Sequence, residues 1–197
     1  MNTLKAEKRT MDTKAKRLRR EGYVTGNVFG REMEGSLPVK IEKSAVEKLL
    51  KASNKGSQIM LDVDGQSYDV LIKEIQFNPL KGQVDEIDFQ ALVSNEKVHS
   101  VAEIVLVNHD KLAAGVLQQH LEEISFRALP SALVDKVMVD VGDMKVGDVI
   151  KVKDLDIAKD KDVDLKTDLE AAVVSVAAVH VDPALEAEEE AAEEEAK

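Results

Sequence analysis

Cysteine and tryptophan are absent from this chain of 197 residues, and aromatic side chains make up only 3% of it. Without cysteine there is no disulfide, no thiolate metal site and no cysteine nucleophile, which fits a reducing compartment. With few aromatics, any core is mainly aliphatic. No run of 18 apolar residues occurs, so no membrane-spanning helix is expected. The first 30 residues contain no apolar stretch of signal-peptide kind and are crowded with Lys and Arg. A soluble, cytoplasmic protein is the expectation. Glycine-rich phosphate loops, dinucleotide fingerprints and the paired-histidine zinc motif are all missing. The four histidines, His99, His109, His120 and His180, stand apart from each other and from carboxylates at ligand spacing. No metal and no cofactor are expected from them. Charged residues are 33% of the chain, so acidic pairs arise everywhere and none marks a general acid and base. Nothing nominates an enzyme.

What is present is a core and an uneven charge. Hydrophobic residues make up 44%, enough for packed domains, and the length suits one or two of them. The formal net charge is −11, which as a total speaks against a nucleic-acid partner. Resolved along the chain it reads differently. Residues 1–31 hold nine basic side chains against three acidic ones, a surplus of +6. Residues 186–197 hold seven Glu against one Lys, or −6. A basic head therefore precedes an acidic body and an acidic end. Such asymmetry suggests a polyanion contact at the head, against the plainer reading of a solvated basic loop.

Strand signals dominate the middle. Residues 37–41 alternate after a Gly35-Ser36 turn. Ser44 is a candidate N-cap for a helix over 45–52, with Glu47 as its capping-box partner and Asn54-Lys55-Gly56 as its end. Residues 58–63 and 67–72 flank Asp64-Gly65, which predicts a hairpin on a two-residue turn. Asn78-Pro79 and Lys81-Gly82 mark the next turn, and 84–92 form another strand. This predicts a mainly β fold, opening with a small closed or strongly curved sheet that carries one or two short helices. Further strand signals fall at 101–107, 121–127, 136–141, 149–152 and 171–181, with Gly115-Val116-Leu117 between the first two. Turn signals recur about every ten residues, which suggests a small antiparallel sandwich or barrel. The expected organisation is a β-barrel-like domain over 1–93, an all-β domain over 94–183 and a flexible acidic tail over 184–197.

The informative segment starts at Lys14. Lys14, Lys16, Arg17, Arg19 and Arg20 put five basic side chains in seven positions, and Gly22 can stop a short helix. On that helix Lys16, Arg19 and Arg20 fall on one side and Leu18 is free to pack. Guanidinium groups bind two phosphate oxygens at once. Tyr23, Asn27 and Phe29 follow and could stack on or hydrogen-bond to bases and riboses, or serve as ordinary strand residues. RNA suits this pattern better than DNA, because folded RNA offers a wide, shallow minor groove to a sheet surface. No groove-reading helix pair and no RNP-type aromatic motif is evident.

These residues resemble a known family. Lys16-Arg17-Leu18-Arg19-Arg20-Glu21-Gly22, with Gly30 eight residues on, is similar to the opening signature of the twenty-fifth protein of the bacterial large ribosomal subunit. Asn78-Pro79 and Ile87-Asp88-Phe89 resemble its second signature. Gly115-Val116-Leu117-Gln118, Leu129-Pro130, 137–141 and Val146-Gly147-Asp148 resemble the long form, the general stress protein Ctc. The resemblance covers residues 4–182. It implies a structural, non-enzymatic protein whose first domain is a β-barrel bound to the irregular internal loop of 5S rRNA in the central protuberance. It further implies a cytoplasmic, ribosome-associated chain, monomeric off the ribosome, with other large-subunit components as partners and neither DNA nor membrane. Carried over by position, Arg9, Lys16, Arg17 and Arg19 would meet phosphate and ribose. Phe29 stands at a position usually Tyr, and Gln76 and Asp88 stand where polar residues face the RNA groove. Lys14, Arg20, Asn27 and Glu86 complete the candidate surface. Four departures stand out. Thr25-Gly26 replaces Pro-Ala, Met11 and Thr13 replace two loop glycines, Phe29 lacks the tyrosine hydroxyl, and Glu86 replaces a histidine. Glu86 and Phe29 motivate the alternative, a stress-related protein-interaction module with weakened or lost RNA binding.

Overall fold

The computed structural model describes residues 2–10, 12–33, 35–111 and 115–178. Met11, His180, the end of the strand expected over 171–181 and the segment 184–197 lie outside the described residues.

The first half runs β1 (Thr3–Lys8), α1 (Ala15–Arg20), β2 (Tyr23–Phe29), β3 (Leu37–Glu42), α2 (Lys43–Leu50), β4 (Gln58–Val63), β5 (Gln66–Asn78) and β6 (Gln83–Ala91). Its six strands close into a barrel in the order β1-β3-β2-β6-β5-β4. Alternation puts one set of side chains inside. Ile41, Ile59, Leu61, Ile72, Ile87 and Phe89 are fully buried there. Each such side chain contributes about 1.5–3 kcal/mol by leaving water. The expected hairpin forms: Asp64 and Gly65 both take positive φ, as a tight turn between β4 and β5 demands.

Two strand pairs are parallel, β1 with β4 and β2 with β6. The second places strong demands on Gly26. A Cβ there would overlap the Ile87 carbonyl oxygen across the strand pair. Glycine is what lets β2 lie against β6.

Helix α2 differs from the expected 45–52. It starts at Lys43, directly from β3, with Glu42 as N-cap and no side-chain cap bond. Ser44 and Glu47 therefore form no capping box. The Lys43 N–H instead donates to the Gly22 carbonyl at 3.0 Å, so the strand-to-helix corner is held by backbone. The helix ends at Leu50, and Asn54-Lys55-Gly56 belongs to the turn that follows. Val46 and Leu49 are buried against the barrel.

The second half comprises β7 (Val98–Val107), β8 (Val116–Gln119), β9 (Glu123–Ala128), β10 (Lys136–Asp140), β11 (Val149–Lys151), β12 (Val163–Leu165) and β13 (Ala172–Ala177). They form a four-stranded sheet, β10-β7-β9-β12, and a three-stranded sheet, β11-β13-β8, around a separate core containing Ile124, Phe126, Val152 and Val173. The antiparallel expectation fails at one pair, because β10 runs parallel to β7. Short 3-10 turns at Pro130–Ala132, Val152–Asp154 and Asp156–Lys159 carry the chain between strands.

The halves meet closely. Gly56 takes φ +90, and a Cβ on it would overlap the Val101 carbonyl. The Ser100 hydroxyl donates to the Gly56 carbonyl at 3.3 Å, and the Lys73 ammonium to the His99 carbonyl at 2.8 Å. Leu71 is fully buried and lines, with Ser100, Val101 and Phe126, a cavity of about 170 Å³.

Candidate nucleic-acid interface

Helix α1 has six residues, too few to be stable alone. Tertiary contacts hold it. Leu18 is buried, and Gly22, at φ +91, turns the chain into β2. The decisive contact is Arg19. Its Nε donates to the Asp85 carbonyl at 3.0 Å, and its Nη2 donates to Thr25 Oγ1 at 3.3 Å. The same Nη2 lies 3.6 Å from Glu86 Oε2. One side chain thus ties the helix to β2 and to β6.

The outer barrel face beside α1 is built by strand parity. Val24 and Val28 belong to the barrel core on β2, so Thr25, Asn27 and Phe29 turn to the other face, where Thr25 is itself buried with its hydroxyl against Arg19. Ile87 and Phe89 are buried on β6, which leaves Glu86 and Asp88 outward. Register brings Thr25 opposite Glu86, and Glu86 opposite Gln76. Asn27, Phe29, Gln76, Glu86 and Asp88 therefore share one surface. Asp88 Oδ1 accepts from the Asn27 backbone N–H at 3.0 Å and from its amide at 3.2 Å, which orients both side chains. Phe29 is 38% exposed. Glu86 is not a bare carboxylate, because Arg19 sits against it.

Lys16, Arg19 and Arg20 line a depression of about 500 Å³ with Lys81, Gln83 and Asp85. The Asn78 amide holds the Asp85 carboxyl below its ordinary value; burial opposes this and the Arg19 charge reinforces it. Lys14, Lys16 and Arg20 are exposed and make no ion pair among the described residues. Arg17 is engaged by Glu21 at 2.8 Å on the helix surface. Arg9 is not part of this cluster. It lines a separate depression with Lys8, Thr13, Leu18 and Lys40. It is half-buried, with Nη2 donating to the Thr13 carbonyl at 3.2 Å and Nε buried without a partner among the described residues.

Two positions of this surface escape the sequence reading. Lys81 joins the α1 cations only because the β5–β6 turn folds toward the helix; its one signal is its place in the Asn78-Pro79 turn. Thr25 supplies a hydroxyl for Arg19 that proline could not. Among the described residues no group of His, Asp and Glu could hold a metal ion, and no helix is long and apolar enough to cross a membrane. His109 rests on Asp110 and His120 on Ser175.

Comparison with known proteins places the chain in a family. Residues 4–89 match the family model described as Ribosomal L25p family, and residues 97–180 match that of the ribosomal protein TL5 C-terminal domain. A large ribosomal subunit protein bL25 of Geobacillus thermodenitrificans is 34% identical over 142 residues, covering 71% of this chain and 67% of the relative. The bL25 of Caldanaerobacter subterraneus is 30% identical over 156 residues, 78% of each chain. That of Bacillus licheniformis is 32% identical over 159 residues, 79% of this chain and 76% of the relative. Both halves are thus matched in order, and the chain belongs to the ribosomal L25p family.

Proposed function

We propose that this protein is a structural component of the bacterial large ribosomal subunit that binds 5S rRNA, through the minor-groove side of its internal loop, in the central protuberance. It acts as an architectural ribonucleoprotein subunit rather than an enzyme, in the cytoplasm and among other large-subunit components. One observation carries the reading. Lys16 and Arg20 of α1, which make no ion pair among the described residues, stand beside an outer sheet face that bears Asn27, Phe29, Gln76 and Asp88, with Arg19 joining the two. Phosphates meet the helix while the face addresses ribose and base edges.

If the surface neutralises about five phosphates, log affinity falls with log salt at a slope near −4. The test is binding of the full chain to 5S rRNA and to a control RNA of equal length at two salt concentrations, with cofractionation on large subunits. Preference for 5S rRNA that survives the higher salt is expected. Equal binding to both RNAs, abolished by salt, overturns it.

A second reading rests on Glu86. Its carboxylate occupies part of the Arg19 guanidinium, which suits a protein-interaction module with weakened RNA binding. In that case the chain has no preference for 5S rRNA until Glu86 is replaced.

A further inference from the structure

The tip of the β5–β6 hairpin is built as an exposed apolar prong beside the basic helix. Leu80 is 97% exposed and Phe77 60% exposed. Single exposed leucines are ordinary on protein surfaces. This one differs in being presented by an ordered turn. The Asn78 side-chain carbonyl accepts from the Lys81 N–H, and the Asn78 backbone carbonyl accepts from the same N–H, each at 3.3 Å. The Asn78 amide then donates to Asp85 at 3.0 Å, which pins the turn to the start of β6. Pro79 restricts the backbone further. The tip is therefore pre-organised, and its apolar side chain is almost fully exposed among the described residues.

Its surroundings choose the occupant. Lys81, next to Leu80, lines the same depression as Lys16, Arg19 and Arg20. Three of those cations come from α1 and one from the hairpin, so the depression is bounded by two arms. Gln83 and one carboxylate, Asp85, complete the lining, so four cations outnumber a single anion and positive charge on both arms calls for a polyanion between them.

We propose that the β5–β6 tip is a second RNA-contacting arm, in which Lys81 meets a phosphate and Leu80 packs against ribose or an unstacked base of the same strand that α1 holds. The proposal rests on the RNA-binding reading above and extends it to a segment outside α1 and the β2–β6 face. Two kinds of contact are then separable. Loss of Lys81 removes about one phosphate contact, which changes the salt slope by about 0.7–0.9. Loss of the Leu80 contact removes apolar burial, which leaves the slope alone.

The experiment compares the full chain with Leu80→Ser and Lys81→Ala in binding to 5S rRNA and to the equal-length control, at two salt concentrations. Thermal unfolding of each variant checks the fold, and Leu80 is exposed enough for the parent transition to be retained. Expected is a roughly fivefold weaker affinity for Leu80→Ser with an unchanged slope, and a slope flatter by nearly one for Lys81→Ala. If the parent shows no preference for 5S rRNA, the underlying reading fails. If the parent shows it and both variants match the parent, the second arm is refuted while that reading stands. If Leu80→Ser binds RNA as the parent does but no longer cofractionates with large subunits, the tip serves a protein neighbour and the RNA assignment is overturned.

Discussion

Replacing Glu86 by glutamine tests whether the surface is held back by its own carboxylate. The Arg19 Nη2 to Glu86 Oε2 distance is 3.6 Å, and both side chains are about one-quarter exposed (29% and 26%). At that distance two unit charges interact by about 1 kcal/mol at the dielectric of water and by about 4–5 kcal/mol at an effective dielectric of 20. A phosphate that takes Arg19 loses the use of part of this pair and gains a carboxylate neighbour. At roughly 6 Å the like-charge repulsion adds about 0.7 kcal/mol even in water. Taking a net of about 1 kcal/mol as the lower bound, Glu86→Gln tightens 5S rRNA binding about fivefold or more. Glutamine keeps an acceptor for Arg19, and the bonds to Asp85 and Thr25 remain, so α1 stays docked. At 3.6 Å the pair is loose and solvent reaches both groups, so it contributes about 1 kcal/mol to stability and unfolding changes little. The assay is equilibrium binding at two salt concentrations. The gain is larger at low salt, because screening removes it. Unchanged or weaker binding at both concentrations refutes the reasoning and assigns Glu86 either to a base amino group or to a place outside the contact.

Arg19→Ala should weaken 5S rRNA binding and flatten the salt slope by about 0.7–0.9; it should also lower stability by about 1–3 kcal/mol in a denaturant titration, because two hydrogen bonds from a charged donor are lost. Gly26→Ala should destabilise the barrel by more than about 2 kcal/mol, since the new methyl meets the Ile87 backbone rather than a movable side chain, and thermal unfolding reads this directly. The Glu170 carboxyl is held by Lys151 and Lys153 at 2.8 and 2.9 Å, which pulls its pKa from an ordinary 4.5 down to about 2. Its folded value is depressed, so its stabilising contribution is present above about 4.5 and is lost as pH falls toward about 2. A carbon-detected NMR titration should show the low midpoint, and it should return toward the ordinary value in Lys151→Ala/Lys153→Ala.

Features with a local cause were legible in the sequence. The Asp64-Gly65 turn needs two positive φ values, and Asp-Gly is the dipeptide that tolerates them. The basic helix shows in the cation spacing, with Leu18 as its buried residue and Gly22 after it. What escaped depends on partners far along the chain. β1 has only Leu4 and Ala6 facing the core, among charged neighbours, and becomes a strand by pairing with β4 in parallel and β3 antiparallel. Ser44 looks like a cap, but the backbone of Gly22, twenty-odd residues earlier, already holds that corner. The pairing of Arg19 with Glu86 follows from the β2–β6 register, which no nearby residue announces. Lys81 enters the cation cluster for the same kind of reason.

Register also bears on how, under the proposed function, a chain of charge −11 would address a polyanion. In the second half Arg127, Lys145, Lys161 and Lys166 make no ion pair among the described residues, but Lys97, Lys136, Lys151, Lys153 and Lys159 each lie 2.8–3.7 Å from a carboxylate. Their fields are largely cancelled at close range, and at physiological salt little remains beyond about 8 Å. Lys14, Lys16 and Arg20 of the first half have no such partner among the described residues. Attraction for phosphate thus depends on which cations lack a carboxylate, more than on how many cations there are. The acidic remainder repels phosphate elsewhere on the molecule and leaves α1 as the favoured point of entry. Within that entry Arg17 is paired with Glu21 on the helix surface, while Arg19, which positions the helix, has Glu86 as its acidic neighbour on the sheet face. A carboxylate at Glu86 therefore weakens the surface where geometry is strongest, so a one-residue change there alters affinity without altering the fold.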